Sequence, residues 1–284
     1  MTSLSNFAFF GTPDVAVETL EILLAHGIVP SVIITAPDQP KGRGLVLTPP
    51  PVKTWAITHH IPFLQPEKLD QEFTLKLSTF NFQLSVVVAY GKILPEILIN
   101  LPPLGTFNIH YSLLPKYRGA SPVESAILHG EIETGVTIQK MVFQLDAGDI
   151  VAKEVTSIGK DETTPELRNR LITIGAELLV KIFPDIMHQT LMPIAQDHAL
   201  ATKCGKINKE DGLINLAENA QENYNKYRAY KTWPRTYFFV QSKEGTEKRV
   251  IIREAKLEDE IFVPIRVTPE GKKEVSYAEF LRNH

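Results

Sequence analysis

The 284-residue chain has one cysteine, Cys204, so no disulfide can form within it, and a reducing compartment is the simple expectation. Long apolar runs are also missing: nothing approaches the roughly 18 to 20 consecutive apolar residues that cross a bilayer. Met1–Asn6 carries no basic region ahead of the short apolar run Phe7–Phe10, so no signal peptide is read there. The expectation is a cytoplasmic protein. The turn after the first apolar run, Gly11-Thr12-Pro13-Asp14, lacks the G-x-G-x-x-G phosphate cradle, and no acidic residue closes the second predicted strand where a ribose partner would sit. Both absences argue against dinucleotide binding. Cys204 and the scattered histidines offer no metal-ligand spacing, so no metal is expected. Internal repeats and low-complexity tracts are absent as well.

Excess charge is lacking too. The formal charge is −3, which does not advertise a nucleic-acid binder. It is unevenly shared: from Lys203 onward there are about 16 Lys/Arg and 13 Asp/Glu, near +3, against about 14 and 20, near −6, before it. A solvated face of a small domain reaches that imbalance easily, so it decides nothing alone.

What is present is 43% apolar residues and 22% charged, ordinary for a globular protein able to bury a core. Over the first 190 residues short β-type runs alternate with helical segments. Strands are expected at Asn6–Phe10, Pro30–Thr35, Pro62–Leu64, Leu84–Ala89, Phe107–His110, Val136–Val142 and Ile150–Ile158. Helices are expected from Pro13 to about His26, near Val52–His59, and from about Pro165 to Met187. This rhythm predicts an α/β fold, a Rossmann-like, mainly parallel sheet with helices on both faces, whose ligands bind beyond the carboxyl ends of the strands. Ala36–Lys53, rich in Pro and Gly, is too long for a minimal connection. The character changes near Pro193–Lys206. The expected division is a catalytic domain over 1–190, a linker over 191–205 and a small domain over 206–284. That last part has a helix around Ala217–Tyr230, strand-like runs Thr236–Gln241, Arg249–Arg253 and Ile261–Val267, and a helix near Ser276–Arg282.

The densest chemistry lies in Phe107-Asn108-Ile109-His110, followed by Ser112-Leu113-Leu114-Pro115-Lys116-Tyr117-Arg118-Gly119. On an extended strand Asn108 and His110 emerge on the same face. An amide donor beside an imidazole can hold an oxygen that becomes negative as a carbonyl is attacked. A core histidine and a turn asparagine would read the same way in isolation. Leu145-Asp146-Ala147-Gly148-Asp149 adds an acidic turn between two strands. Placed across from His110, the Asp146 carboxylate would orient the ring or take a proton through water.

Taken together, residues 107–150 resemble the core of the formyltransferase family that uses 10-formyltetrahydrofolate: Asn-x-His, then Ser-Leu-Leu-Pro, then the Asp of Leu-Asp-x-Gly. The resemblance covers about the first 240 residues. It implies Asn108, His110 and Asp146 as the catalytic trio, with Asn108 and His110 (as imidazolium) on the oxyanion and Asp146 helping to remove the amine proton. It implies folate contacts at Ser112, Leu113, Leu114 and Pro115, and a pterin pocket lined by Val86–Pro95, with Val88, Tyr90, Ile93 and Leu94 named. Neither a metal nor a covalent nucleophile is required.

Family members formylate a purine precursor, amino-sugar nucleotides or methionyl initiator tRNA. The loop Pro37–Gly44 with Pro49–Lys53 resembles the insertion with which the tRNA-specific members reach the acceptor arm, so Lys41 and Arg43 are the expected RNA contacts. Ala201–Phe238, including Trp233-Pro234, resembles the same members' linker and C-terminal domain, which grips RNA backbone in an OB-like fold. The expected acceptor is therefore methionyl initiator tRNA, for translation initiation, and the expected state a monomer. An amino-sugar acceptor and a non-catalytic tRNA-binding module stand as alternatives. The chain departs from the pattern at Tyr111, where a small residue is usual, with the expectation that the ring shapes the pocket mouth, and at Ser121, Glu124 and Ser125. Only about 46 residues follow Phe238, too few for a five-stranded OB barrel. An abridged barrel with a weaker hold on tRNA is expected.

Overall fold

The computed structural model describes residues 6–42, 44–241 and 245–283. In chain order the elements are β1 (Phe7–Gly11), α1 (Asp14–Ala25), β2 (Val32–Ile34), β3 (Gln39–Lys41), β4 (Val46–Thr48), α2 (Pro51–Thr58), β5 (Phe63–Leu64), α3 (Gln71–Ser78), β6 (Leu84–Val88), α4 (Glu96–Ile99), β7 (Thr106–His110) and the two-residue β8 (Arg118–Gly119). Then follow α5 (Pro122–Leu128), β9 (Glu133–Lys140), β10 (Ile150–Ser157), α6 (Thr164–His188), the two-residue β11 (Lys203–Cys204), α7 (Ala220–Ala229), β12 (Tyr237–Gln241), β13 (Glu247–Glu258), β14 (Ile261–Pro269), β15 (Val275–Ser276) and α8 (Tyr277–Arg282). They divide between two compact units: Met1–Arg118 with Gly135–Val155 and Arg170–Lys203, and Gly119–Thr134 with Thr156–Asn169 and Cys204–His284.

The first unit is built on a seven-stranded sheet of order β10-β9-β7-β6-β1-β2-β5. The pairs from β5 through β7 are parallel, and β9 runs antiparallel to β7. β1 and β6 are buried along their whole length, which is why both read as nearly continuous apolar runs, broken only by Ser85, rather than alternating ones. The pleat sends Ala8 and Phe10 to one face, into a core with Phe73, Leu77, Tyr90, Leu94 and Leu98. It sends Phe7 to the other, edge-on to Phe183 of α6 with ring centroids 5.3 Å apart. Three short helices, α3, α4 and α5, of four to eight residues, were not read from the hydrophobic pattern, in which so few turns leave only a weak periodicity. α3 has a local signal in Asp70, whose carboxylate caps the Phe73 N–H at 3.0 Å.

The Pro/Gly-rich connection is more ordered than a loop. β3 and β4 pair as an antiparallel hairpin, Gln39 opposite Thr48 and Lys41 opposite Val46. Its base is tied down by Asp38, which accepts from Lys53 Nζ at 2.7 Å and from Gln65 Nε2 at 2.7 Å.

In the second unit four strands form an antiparallel sheet of order β12-β13-β14-β15. Its apolar face, with Phe238, Val250, Ile252, Phe262 and Val267, packs with Tyr224 and Tyr227 of α7 and Phe280 of α8. No closed five-stranded barrel forms among the described residues, in line with the shortened chain. Burial pushes the Tyr224 phenol up to about 12, helped by its hydrogen bond to Asp161. Burial likewise takes Tyr230 to about 12.

Candidate active site

β7 ends the run of parallel strands and delivers Asn108 and His110 to its carboxyl end. Antiparallel pairing with β9 sets Gln139 directly opposite Asn108 and Thr137 opposite His110. Cross-strand partners project to the same side, so four polar side chains gather on one face of a buried sheet.

The His110 side chain is 6% exposed. Its Nε2 lies 2.9 Å from the Tyr117 carbonyl oxygen. A carbonyl can only accept, so Nε2 carries the proton. The other ring nitrogen, Nδ1, faces the Asp146 carboxylate, with Oδ2 at 3.7 Å and the Asp146 side chain 11% exposed. That is ion-pair range rather than a hydrogen bond, and with so little water nearby a charge on either partner is felt strongly. The separation of 36 residues between His110 and Asp146 is closed by the β9 strand and its turn. Asp146 occupies the left-handed region, φ 48°, which aspartate tolerates better than most residues. The half-buried Asn108 amide has no protein hydrogen-bond partner among the described residues, which leaves it available to a ligand oxygen.

The segment after β7 wraps this corner. Thr137 Oγ1 accepts from the Leu114 N–H at 3.1 Å and donates to the Ser112 carbonyl at 2.7 Å. Ser112 Oγ donates to the Lys116 carbonyl at 2.7 Å, and Lys153 Nζ donates to the Leu114 carbonyl at 2.6 Å; burial pulls the Lys153 ammonium below its ordinary range. Ser112 and Leu114 are fully buried, while Leu113 and Pro115 are half-exposed. Of the expected pterin-pocket residues, Val88, Tyr90 and Leu94 are buried and Ile93 is 78% exposed. The Tyr90 ring sits edge-on to Phe10 at 5.4 Å, and burial raises its phenol to about 12.

Several residues that the sequence did not single out hold the site together. Gln139 grips the Asp146 carboxylate and Gln196 grips the main chain around it. Gln196 Nε2 donates to the Asp146 carbonyl at 3.0 Å and the Gly148 carbonyl at 2.6 Å, while its Oε1 accepts from Arg118 at 2.7 Å. Thr202 Oγ1 accepts from the Tyr117 N–H at 2.8 Å, steadying the residue whose carbonyl pins His110. Gln196 and Thr202 lie in the stretch expected as a linker, where no pattern marks them. Thr137 and Gln139 lie in a strand that also carries Glu133, Thr134 and Lys140, so their polarity does not set them apart.

Tyr111 is a correction. It does not turn towards the Asn108/His110 face: strand alternation sends it with Ile109 to the opposite side, where Gly175 of α6 makes room for both, a Cβ there standing 2.8 Å from Ile109 Cγ2 and 3.5 Å from Tyr111 Cε1. Ser121 Oγ donates to the Gly205 carbonyl at 2.7 Å, Glu124 pairs with Arg168, and Ser125 is buried with its carbonyl accepting from His129. These three departures make contacts inside the second unit. Lys41 is exposed on β3, beside a groove of about 650 Å³ that it lines with Trp55 and His59. Arg43 lies outside the described residues. At the hairpin base the bonds from Gln65 and then Lys53 hold the Asp38 carboxyl below its ordinary range. No cluster of three or more His, Cys, Asp or Glu suited to a metal occurs among the described residues, and no helix there is long and apolar enough to cross a membrane.

The formyl transferase family matches residues 5–183, and the formyl transferase C-terminal domain matches residues 206–263. A methionyl-tRNA formyltransferase of Staphylococcus epidermidis is 40% identical over 302 residues, covering 98% of this chain and 96% of that protein. One from Sulfurihydrogenibium sp. is 43% identical over 231 residues, covering 81% and 74%. Among solved structures, a sugar N-formyltransferase, WlaRD, described with dTDP and 5-N-formyl-THF, superposes with a TM-score of 0.65 at 19% identity over 90% of this chain and 88% of that one. The N-formyltransferase of Helicobacter canadensis, in complex with folinic acid and dTDP-3-aminofucose, gives a TM-score of 0.63 at 19% identity over 96% and 98%. At that identity the solved structures share the fold.

Proposed function

Because the chain belongs to the formyl transferase family, we propose that it transfers a formyl group from 10-formyltetrahydrofolate to the amino group of methionyl initiator tRNA. The observation that carries the chemistry is the convergence of three side chains: His110 Nδ1 turned to the Asp146 carboxylate at 3.7 Å, with the Asn108 amide, which has no hydrogen-bond partner among the described residues, two residues back on the same face. An amide donor with no acceptor among the described residues, beside a ring whose far nitrogen is already committed, fits a carbonyl oxygen that must be held as it gains charge.

The folate supplies an activated formyl group on its N10 nitrogen. Asn108 and His110 would hold the formyl oxygen, His110 through Nδ1 as imidazolium because Nε2 is tied to Tyr117. As the amine adds to the formyl carbon, Asp146, directly or through a water, would take the proton that the new ammonium releases; collapse of the adduct would then break the bond between the formyl carbon and N10, and N10 would regain a proton as tetrahydrofolate leaves. Ser112–Pro115 and the Val88–Leu94 segment would seat the donor; the 78% exposure of Ile93 suits a side chain that covers a ring from outside. In this reading residues 1–190 carry catalysis, 206–284 grip RNA, and Lys41 with Arg43 meet the acceptor arm. Cytoplasmic, monomeric action accords with it.

Identity favours the tRNA acceptor, at 40% over nearly the whole chain to methionyl-tRNA formyltransferase against 19% to the sugar enzymes. The sugar reading keeps one observation, the shared fold including the C-terminal part. Purified protein with 10-formyltetrahydrofolate should be offered charged initiator tRNA, glycinamide ribonucleotide and dTDP-amino sugars in parallel. Formyl transfer to the tRNA is expected. Transfer to a sugar alone would overturn the acceptor, and no transfer to any would leave a binding module.

A further inference from the structure

We propose that Gln139 is a positioning residue of the reaction, aiming the Asp146 carboxylate at His110 through a two-point amide clamp. The inference deepens the function proposed above and rests on it.

Gln139 is 1% exposed and sits across from Asn108 in the β7–β9 pair. Its side chain spans the turn that follows β9. Oε1 accepts from the Gly148 N–H at 3.1 Å, and Nε2 donates to Asp146 Oδ1 at 2.9 Å. The orientation of the amide follows from chemistry: a backbone N–H can only donate, so the oxygen must face Gly148 and the NH2 must face the carboxylate. The turn also closes tightly on the strand itself. A Cβ on Gly148 would stand 1.9 Å from the Lys140 carbonyl oxygen, so the glycine lets the turn come within reach of the Gln139 amide. Gln196 holds the same turn by its carbonyls of Asp146 and Gly148, leaving the terminal rotation of the carboxylate to be settled elsewhere.

That rotation is soft, since the last torsion of an aspartate has broad wells. Fixing Oδ1 on the Gln139 amide directs Oδ2 towards His110 Nδ1. A carboxylate released from the clamp keeps its charge and its place on the chain but loses its aim, and misplacement on this scale costs about a hundredfold in rate. A purely structural Gln139 would instead serve the buried Gly148 N–H, and that alternative gives a different pattern of mutants.

The test is a kinetic cycle with the tRNA acceptor. Gln139→Met keeps length and apolar volume and removes both bonds. Gln139→Glu keeps an acceptor for Gly148 and sets a carboxylate against Asp146. Both are expected to lower kcat by about ten- to a hundredfold while KM for tRNA and for the folate stays within about twofold. In an Asp146→Asn background the Met substitution should change kcat by less than about twofold, because the group it positions is gone. A Gln139→Glu protein with near wild-type kcat would show that only the Gly148 bond matters and would overturn the proposal. So would an equal loss from Gln139→Met in both backgrounds, or a loss confined to KM. An active wild type with undiminished Gln139 variants defeats this inference alone; a wild type that forms no formyl-methionyl-tRNA defeats the function with it.

Discussion

A carboxylate is useful in this corner because a glycine two residues later has no side chain. Asp146 reaches His110 only while the 146–148 turn lies flat against β9, and Gly148 permits that approach. Gly148→Ala is expected to push the turn outward, with a loss of about 1–3 kcal/mol in urea unfolding and a fall in kcat from the displaced carboxylate. An unchanged urea midpoint would mean the backbone absorbs the methyl group. Asp146→Asn tests the chemistry without the clash: kcat should drop by about a hundredfold or more, with folate affinity by equilibrium titration nearly intact. Near wild-type turnover would remove Asp146 from the mechanism. Asn108, His110 and Asp146 were legible as residue types in a familiar order. Their supports were not, since a glutamine acting on an aspartate seven positions away has no sequence signature of its own.

At the scale of elements, the β3–β4 hairpin converts a Pro/Gly-rich stretch into a pair of largely exposed strands. Asp38, Lys53 and Gln65 clamp its base, and the exposed Lys41 sits on its first strand. A single phosphate contact contributes roughly 0.9 to the slope of log affinity against log salt on duplex nucleic acid. Lys41→Ala, and separately Arg43→Ala, should raise KM for tRNA and flatten its salt dependence by about one such contact, with KM for the folate unchanged. A rate indifferent to both substitutions at limiting tRNA would make the hairpin structural. The hairpin was hidden in the sequence because proline and glycine read as breakers of regular structure, whereas two three-residue strands need only a turn and a fixed base. The β7–β9 pairing was equally hidden: the rhythm predicts parallel neighbours, and an antiparallel partner is decided by where the chain returns after α5.

For the whole molecule, acid–base behaviour at high pH gives a global check. Burial lifts the phenols of Tyr90, Tyr224 and Tyr230 to about 12, from an ordinary value of 10.0. Their folded values lie above the unfolded ones, so their contribution to stability is fully present below pH 10 and is lost as pH rises towards 12. Urea stability should therefore fall across that window, while phenolate absorbance of the folded protein lags behind that of the denatured chain. Full ionisation of all the tyrosines near pH 10 without unfolding would refute the burial of these side chains.

Composition and pattern by themselves determined an α/β sheet followed by a small β-containing part, and the family resemblance of residues 107–150 singled out one amide, one imidazole and one carboxylate without placing them together. Hydrophobic burial makes those features readable, because buried strands must be apolar and the site must interrupt them with polar groups. Only the tertiary structure decided which nitrogen of His110 faces Asp146, that Tyr111 turns away to meet Gly175, and that Gln139 and Gln196 hold the acidic turn from two sides. Such choices depend on hydrogen-bond direction and on distances of a few tenths of an ångström between segments far apart in the chain, and a one-dimensional pattern carries neither.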